Sequence, residues 1–126
     1  MVRRYCKSDK NNFCIKSLCF REICYGNKAD EFIYSNIENN TSLIYKNLYI
    51  ENLCEIKNIK PLEFDEKIFE LIQNWKRNYK PEFIVCDGLM WELKIELENG
   101  IKYKFKGNHE TPDNFEKFEE YLHGLL

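Results

Sequence analysis

The sequence predicts a single α+β domain in which an antiparallel sheet of four to five strands carries two helices on one face, in the order β-β-β-α-β-β-α. Length supports one domain, because 126 residues is a usual size for one hydrophobic core. Composition supports a folded chain, since 44% of the residues are hydrophobic and 32% are charged. Strand-like and helix-like patterns also occupy separate runs of the chain instead of alternating strictly, which favours α+β over α/β.

Three strands are predicted in the first sixty residues. Residues 13–25 lack proline and glycine and have mixed periodicity, which predicts a strand with a bulge or bend. Residues 26–27 read as a turn, and residues 31–34 form a short second strand. After another turn at residues 39–42, the apolar residues of 43–50 predict a third strand, either continuous or in two pieces.

A helix is predicted next. Its apolar stripe repeats at steps of three and four and consists of Phe64, Ile68, Leu71, Ile72, Trp75 and Tyr79. Pro61 lies upstream, where proline is tolerated, and Asp65 is the expected N-cap, with Glu63 as the alternative. The basic residues at positions 76, 77 and 80 complement the C-terminal end of the helix dipole, and Pro81 prevents continuation.

The clearest strand signal lies between residues 91 and 106. Apolar residues alternate with charged ones on both sides of Asn99-Gly100, which predicts a β-hairpin. A two-residue loop would divide the apolar residues between the two faces of the hairpin. A three-residue loop, 98–100, pairs Leu97 with Ile101 and places every apolar side chain on one face, with Gly100 in the left-handed conformation. On the other face this register gives the pairs Glu92–Lys106, Lys94–Lys104 and Glu96–Lys102.

A final helix is predicted from Thr111-Pro112, with Thr111 as the N-cap and Pro112 in the first turn. Its apolar stripe consists of Phe115, Phe118, Leu122 and Leu125. Gly124 is the expected stop.

The chain is expected to lie in the cytoplasm with reduced cysteines. Its basic N-terminal residues are not followed by the apolar segment of a signal peptide, and no stretch reaches the length of a membrane span. No membrane association is therefore predicted. Because thiols stay reduced in the cytoplasm, the six cysteines are not interpreted as a disulfide framework.

Three cysteines, Cys14, Cys19 and Cys24, are candidate metal ligands. They are spaced by five residues, whereas zinc ligands usually come in pairs two to four residues apart. On a strand that spacing places neighbouring cysteines on opposite faces. Packing as small apolar residues is favoured, and no metal or other cofactor is predicted.

The charge balance argues against nucleic-acid binding. Nineteen basic and 21 acidic residues give a formal net charge of −2, whereas nucleic-acid binding needs clustered positive charge. Residues 1–60 contain ten basic and seven acidic residues, and residues 61–126 contain nine basic and fourteen acidic residues. The sheet and the helices are therefore expected to present different charges to a partner.

A set of residues at fixed spacings runs through the C-terminal half. It comprises Asp87-Gly88-Leu89-Met90-Trp91-Glu92-Leu93-Lys94-Ile95, then Asn99-Gly100, Gly107, Pro112, Asn114 and Phe115. Over residues 62–122 this resembles a family of small, mostly uncharacterised bacterial proteins, with D-G-x-x-W-x-L-x-I, a hairpin and G-x-N-x-x-P-x-x-F. His109 stands where the family tends to have asparagine, and Asn108 precedes it. The resemblance implies a compact α+β domain and no established activity.

The hairpin register gathers polar residues at the end where Trp91 would face Gly107. The candidate binding residues there are Asp87, Trp91, Asn108, His109 and Glu110. Trp91 also belongs to the apolar stripe of its strand, so packing in the core is favoured over ligand binding.

The same end of the hairpin supports a catalytic hypothesis. In it Cys86 is the nucleophile, His109 takes its proton, and Asp87 or Glu110 orients the imidazole. In the favoured interpretation Cys86 is buried, Asp87 forms a turn, and His109 is a solvated loop residue.

The sequence favours a non-catalytic protein-interaction domain. It contains no phosphate-binding loop, no histidine-rich metal motif, no nucleophile elbow and no recognisable pair of catalytic acids. Small size, tyrosine-rich strands and uneven charge suit a protein-binding surface. One version is a mobile-element or phage-type inhibitor or immunity factor that acts on a cytosolic protein. The alternative is a small enzyme or ligand-binding domain that uses the cluster of Cys86, Asp87 and His109.

Overall fold

A computed structural model describes residues 14–24, 26, 28–49, 52–81 and 88–126. In these ranges the N-terminal strands are β1 (Ile15–Cys24), β2 (Lys28–Ile37), β3 (Asn40–Asn47) and β4 (Asn52–Lys57). They are followed by α1 (Pro61–Ile72), β5 (Asn78–Tyr79), β6 (Met90–Leu97), β7 (Lys102–Asn108) and α2 (Phe115–Gly124).

The described strands form one seven-stranded sheet in the order β4-β3-β2-β1-β6-β7-β5. Every neighbouring pair is antiparallel except β5 and β7, which are parallel. Both helices pack on one face, since Phe64 of α1 stacks on Tyr34 of β2 and Phe118 of α2 packs edge-on against Phe20 of β1. The predicted α+β class with two helices on one face of the sheet is confirmed.

The predicted strand number and order were wrong, because the described chain runs β-β-β-β-α-β-β-β-α. Residues 48–49 form a turn, and the fourth strand is β4, whose alternation of apolar and charged residues was overlooked. β5 has only two residues and is defined by its pairing with β7. A hydrogen bond from the Lys106 amide to the Arg77 carbonyl lies next to this pairing. Such a tertiary contact leaves no periodic signal in sequence.

Two local predictions about the strands were correct. β1 has the expected irregularity, since its pairing with β6 shifts register between Ile15 and Ser17. The hairpin of β6 and β7 has the three-residue loop, because the Leu97 amide donates to the Ile101 carbonyl and Gly100 has a φ of 91°. All three predicted charged pairs lie in register.

The helix boundaries needed correction. α1 begins at Pro61 and ends at Ile72, so Trp75 and the basic residues that follow lie beyond it. Asp65 is not the N-cap but is buried inside the helix, where its Oδ2 accepts a bond from the Ile15 amide at 3.4 Å. α2 begins at Phe115 rather than at Thr111-Pro112, although Phe115, Phe118 and Leu122 of its predicted apolar stripe are buried as expected. Leu125 is half-buried and follows the helix. In both helices the N-cap was predicted wrongly, since the observed N-caps, Lys60 and Asn114, make no side-chain capping bond.

Aromatic rings fill the space between the sheet and the helices. The Trp75 ring lies 5.5 Å from that of Trp91 and 5.1 Å from that of Phe118, measured between centroids. The Trp75 Nε1 donates to Asn114 Oδ1 at 2.7 Å, and Asn114 Nδ2 donates to the Leu71 carbonyl at 2.6 Å. These bonds connect the end of α1 to the start of α2 and satisfy the polar groups of buried side chains.

Across the described residues, no helix is both long and apolar enough to cross a membrane.

Candidate functional site

The described structure shows only part of the cluster predicted at the end of the hairpin. Cys86 and Asp87 lie outside the described residues, so the catalytic hypothesis stays a prediction. His109 is exposed and has a φ of 71°, and its amide donates to the Leu89 carbonyl. Glu110 is also exposed.

Trp91 and Asn108 are the other residues predicted for this end. Trp91 packs against Phe115 on the helix side, and Asn108 is the cross-strand partner of Met90. Trp91 is 3% exposed, and its Nε1 donates to the Glu110 carbonyl at 3.0 Å. The indole lies over Gly107, where a Cβ would overlap it. Asn108 is half-buried, and its Oδ1 has no hydrogen-bond partner among the described residues. Trp91 therefore packs in the core, as the sequence favoured.

The three cysteines proposed as metal ligands are separated in the fold. Cys19 and Cys24 point to opposite faces of β1, and Cys14 precedes the strand, with its thiol 3.4 Å from Glu98 Oε1. Among the described residues, no group of three histidines, cysteines or acids is arranged to hold a metal ion. The four cysteines in those ranges carry free thiols.

The face of the sheet opposite the helices is covered by none of the described elements. We call it the open face. Its residues on β1 to β4 are Ser17, Cys19, Arg21, Ile23, Ala29, Glu31, Ile33, Ser35, Ile37, Ser42, Ile44, Lys46, Leu53, Glu55 and Lys57. Its residues on β6 and β7 are Met90, Glu92, Lys94, Glu96, Lys102, Lys104, Lys106 and Asn108.

Apolar side chains occupy the centre of the open face. Directly opposed residues of neighbouring strands share a face and lie in rows. One such row contains Ile44, Ile33 and Cys19, all of them half-buried. Ile23 and Met90 are paired in a second row and are 37% and 58% exposed. An apolar patch that water partly reaches is a typical feature of an interaction surface.

A row of alternating charge separates these two apolar rows. It consists of Lys46, Glu31, Arg21, Glu92 and Lys106, on five adjacent strands. Arg21 contacts Glu31 at 3.2 Å. Glu92 contacts Lys104 at 3.3 Å and Lys94 at 3.4 Å. Partial burial of Glu92 opposes ionisation, but these two lysines outweigh it and lower the pKa of Glu92.

The β6–β7 half of the open face is basic. It carries four lysines, at positions 94, 102, 104 and 106, against two glutamates, Glu92 and Glu96. A groove of about 520 Å³ runs between these lysines and the central apolar row, with Cys19 and Ile33 on its apolar side and Lys94, Lys102 and Lys104 on its basic side. Its volume lies within the range of common ligand and peptide sites. The groove can thus receive an apolar group with a negative charge beside it.

A second groove, of about 490 Å³, lies at the adjacent end of the open face. It is lined by Arg21, Ile23, Met90 and Lys106, together with residues of β5. Trp91 and Asn108, two of the residues predicted to bind at this end of the hairpin, also line it. Cationic and apolar side chains are combined here as well. Both grooves are lined by residues of β1, β6 and β7.

The helix side of the molecule has the opposite charge. α1 and α2 carry six glutamates, at positions 63, 66, 70, 116, 119 and 120, against two lysines, Lys67 and Lys117. The expected difference in charge between sheet and helices is therefore present in the described structure. A charged partner would be oriented by this polarity as it approaches.

Two acids are buried on the helix side, away from the open face. Glu22 is 1% exposed, and burial together with the neighbouring Glu119 raises the pKa of Glu22 to about 8. Lys28 lies 3.8 Å from Glu22 but binds Glu119 more closely, at 2.8 Å. Burial likewise raises the pKa of Asp65 to about 7. These groups belong to the core, and their effect is on stability.

The open face was not identified from the sequence, although a signal was present. β2 has apolar residues on both faces, Phe32 and Tyr34 towards the helices and Ile33 towards the open side. A strand that is apolar on both faces predicts either a second covering layer or an interaction surface.

Comparisons of the chain with protein-family models, with curated proteins and with solved structures found no match.

Proposed function

We propose that this chain is a non-catalytic protein-interaction domain that binds its partner on the open face of the sheet. The observation that carries the proposal is a sheet face that none of the described elements covers, with half-buried isoleucines beside a row of lysines. A mobile-element or phage-type inhibitor or immunity factor acting on a cytosolic protein is the version that suits so small a domain.

The dimensions of the open face fit such a role. Strands lie about 4.8 Å apart and rise about 3.3 Å per residue, so six strands of seven residues span roughly 600 Å². One side of a typical protein–protein interface buries about 800 Å². The open face and its rim are therefore large enough for a specific partner.

The charges on the open face favour an acidic partner. Four lysines lie on β6 and β7, whereas the surfaces of both helices are dominated by glutamate. Acidic side chains would meet the lysines, and apolar side chains would meet Ile33 and Ile44. The alternating ion pairs between the strands distinguish this face from the continuous basic surface that nucleic acids need.

Photo-crosslinking tests the proposal. The photoreactive residue p-benzoyl-phenylalanine is placed at Ile33 on the open face and, as the control, at exposed Glu116 on α2. The native cytosol is then irradiated and the adducts are identified. Adducts with one protein from position 33 and none from position 116 are expected. Equal adducts from both positions, or adducts with nucleic acid, would overturn the proposal.

Charge reversal provides the second measurement. The double variant Lys94→Glu and Lys104→Glu reverses two open-face charges, and Lys67→Glu with Lys117→Glu reverses the two lysines of the helices. The open-face variant should bind the crosslinked protein at least about tenfold more weakly, because complementary charge is replaced by repulsion. The helix variant should bind as the unmodified protein does. An open-face variant that keeps full affinity would contradict the assignment of the surface.

A further inference from the structure

One edge of the sheet has backbone groups that no described strand uses. Hydrogen bonds alternate along an antiparallel ladder, so that every second residue of a strand points its N–H and C=O away from the partner. Leu97 and Ile101 are hydrogen-bonded across the hairpin. By this alternation Lys102 and Lys104 of β7 direct their amides and carbonyls outwards.

The neighbouring residue Lys106 supports this geometry. Lys106 lies two residues after Lys104, so its backbone groups point in the same direction. Its amide donates outwards to the Arg77 carbonyl at 3.0 Å. β5 lies on this side of β7 but pairs only with Lys106 and Gly107. Within the described part of the chain, the edge from Lys102 to Phe105 is consequently left without a strand.

The side chains along this edge favour an added strand with acidic side chains. Lys102 and Lys104 lie on the open face, where they border the groove that Lys94 and Ile33 also line. A strand added to β7 would place every second side chain beside these lysines. Acids at those positions would be attracted, whereas a second copy of this edge would bring lysine against lysine. Lysine on an edge strand therefore opposes self-association while it leaves the edge available to an acidic strand.

We propose that the partner docks as a short extended strand along β7, with acidic side chains at alternate positions beside Lys102 and Lys104. This inference rests on the proposed function and specifies how the partner is recognised. Backbone hydrogen bonds supply affinity, and the lysines and the groove supply specificity. The free edge is four residues long, so a segment of comparable length suffices.

A synthetic peptide in which glutamate alternates with valine over seven residues is the probe. Hydrogen exchange of the whole protein is measured by NMR with and without saturating peptide. The Lys102 and Lys104 amides should exchange at least about tenfold more slowly with the peptide, because they gain partners. The same peptide methylated on alternate backbone nitrogens is the control and should protect neither amide. Unchanged exchange at both amides would overturn the proposal.

Two substitutions at one position separate backbone pairing from charge. Lys104→Thr removes the charge and keeps the amide, whereas Lys104→Pro removes both. Proline is tolerated on an edge strand where the N–H faces outwards, and circular dichroism checks the fold. The proline variant should bind the peptide about fivefold more weakly than the threonine variant, as expected for one lost hydrogen bond. Equal affinities would refute strand addition, and if the proline variant is unfolded, hydrogen exchange of the unmodified protein decides.

Failure of strand addition can be distinguished from failure of the proposed function. If the photoreactive residue at position 33 captures a single protein while the amides stay unprotected by the peptide, the open face is the site and the edge is not. If neither result is obtained, both proposals fail.

Discussion

Replacing Glu22 by glutamine is expected to stabilise the protein at neutral pH. The carboxyl group is 1% exposed, and neither of its oxygens has a hydrogen-bond partner among the described residues. Its charged neighbours are Glu119, Asp30 and Lys28, and the lysine is held by Glu119. Burial and the neighbouring Glu119 raise the pKa of Glu22 to about 8, so the folded state favours the neutral carboxyl more than the unfolded chain does.

The size of the effect follows from linkage. The ordinary pKa is 4.5 and the pKa in the folded state is about 8, so the folded protein binds the proton more tightly. The contribution of Glu22 to stability is therefore fully present below pH 4.5 and is lost as the pH rises towards 8. Each pH unit in this window costs about 1.4 kcal/mol, which gives a loss of about 3 kcal/mol by pH 7.

Urea denaturation at pH 5, 6, 7 and 8 measures this loss. Glutamine stays uncharged at all four pH values. The unfolding free energy of the Glu22→Gln variant should therefore be higher than that of the unmodified protein, by under about 1 kcal/mol at pH 5 and by about 3 kcal/mol at pH 7. Glu120→Gln, at an exposed position of α2, is the control and should show little difference at any pH. A difference for Glu22→Gln that does not change between pH 5 and 8 would refute the reasoning. So would a variant less stable than the unmodified protein at pH 8, since that would mean that Lys28 stabilises an ionised Glu22.

Three further predictions concern other positions. Gly107→Ala should lower the unfolding free energy by about 1–3 kcal/mol in the same assay, because a Cβ there overlaps the Trp91 indole; unchanged stability would show that the indole can move aside. Gly100→Val should lower the melting temperature, since a β-branched residue at a φ of 91° costs about 1–3 kcal/mol; an unaltered melting temperature would contradict the three-residue loop. The Cys14 thiol should react with iodoacetamide at pH 8 far more slowly than a peptide thiol, because burial and the nearby Asp65 raise the pKa of Cys14 to about 12; mass spectrometry of the alkylated peptides measures this, and equal rates would contradict it.

The sequence was most informative where one alternation determined both structure and register. For β6 and β7, only one loop length places Leu93, Ile95 and Phe105 on the same face, and that register is observed. The helices were located from their apolar stripes, but their ends were not. Trp75 continues the apolar spacing of α1 and is buried, yet it lies beyond the helix, where its indole donates a hydrogen bond to Asn114.

The candidate surface was harder to predict than the fold. Its rows contain residues from strands that are far apart in sequence, such as Cys19, Ile33 and Lys94. No local sequence pattern indicates that β1 pairs with β6. The hairpin end could be predicted because the register of one hairpin brings its polar residues together. The charge difference was visible in the composition of the two halves, but its division between sheet and helices required the topology.

The central position of β1 has a consequence for how fast the chain folds. β1, β2, β3 and β4 follow one another closely along the chain and each pairs with the next, and β6 pairs with β7 in the same local way. In the described structure the group β1 to β4 is joined to the β6–β7 hairpin by the pairing of β1 with β6, in which Ile15 lies opposite Leu97. The entropy of closing that long loop must be lost before its contacts form, which makes the meeting of β1 and β6 the expected slow step. Substitutions at Leu18 or Ile95 should therefore slow refolding, whereas substitutions in β4 should mainly accelerate unfolding.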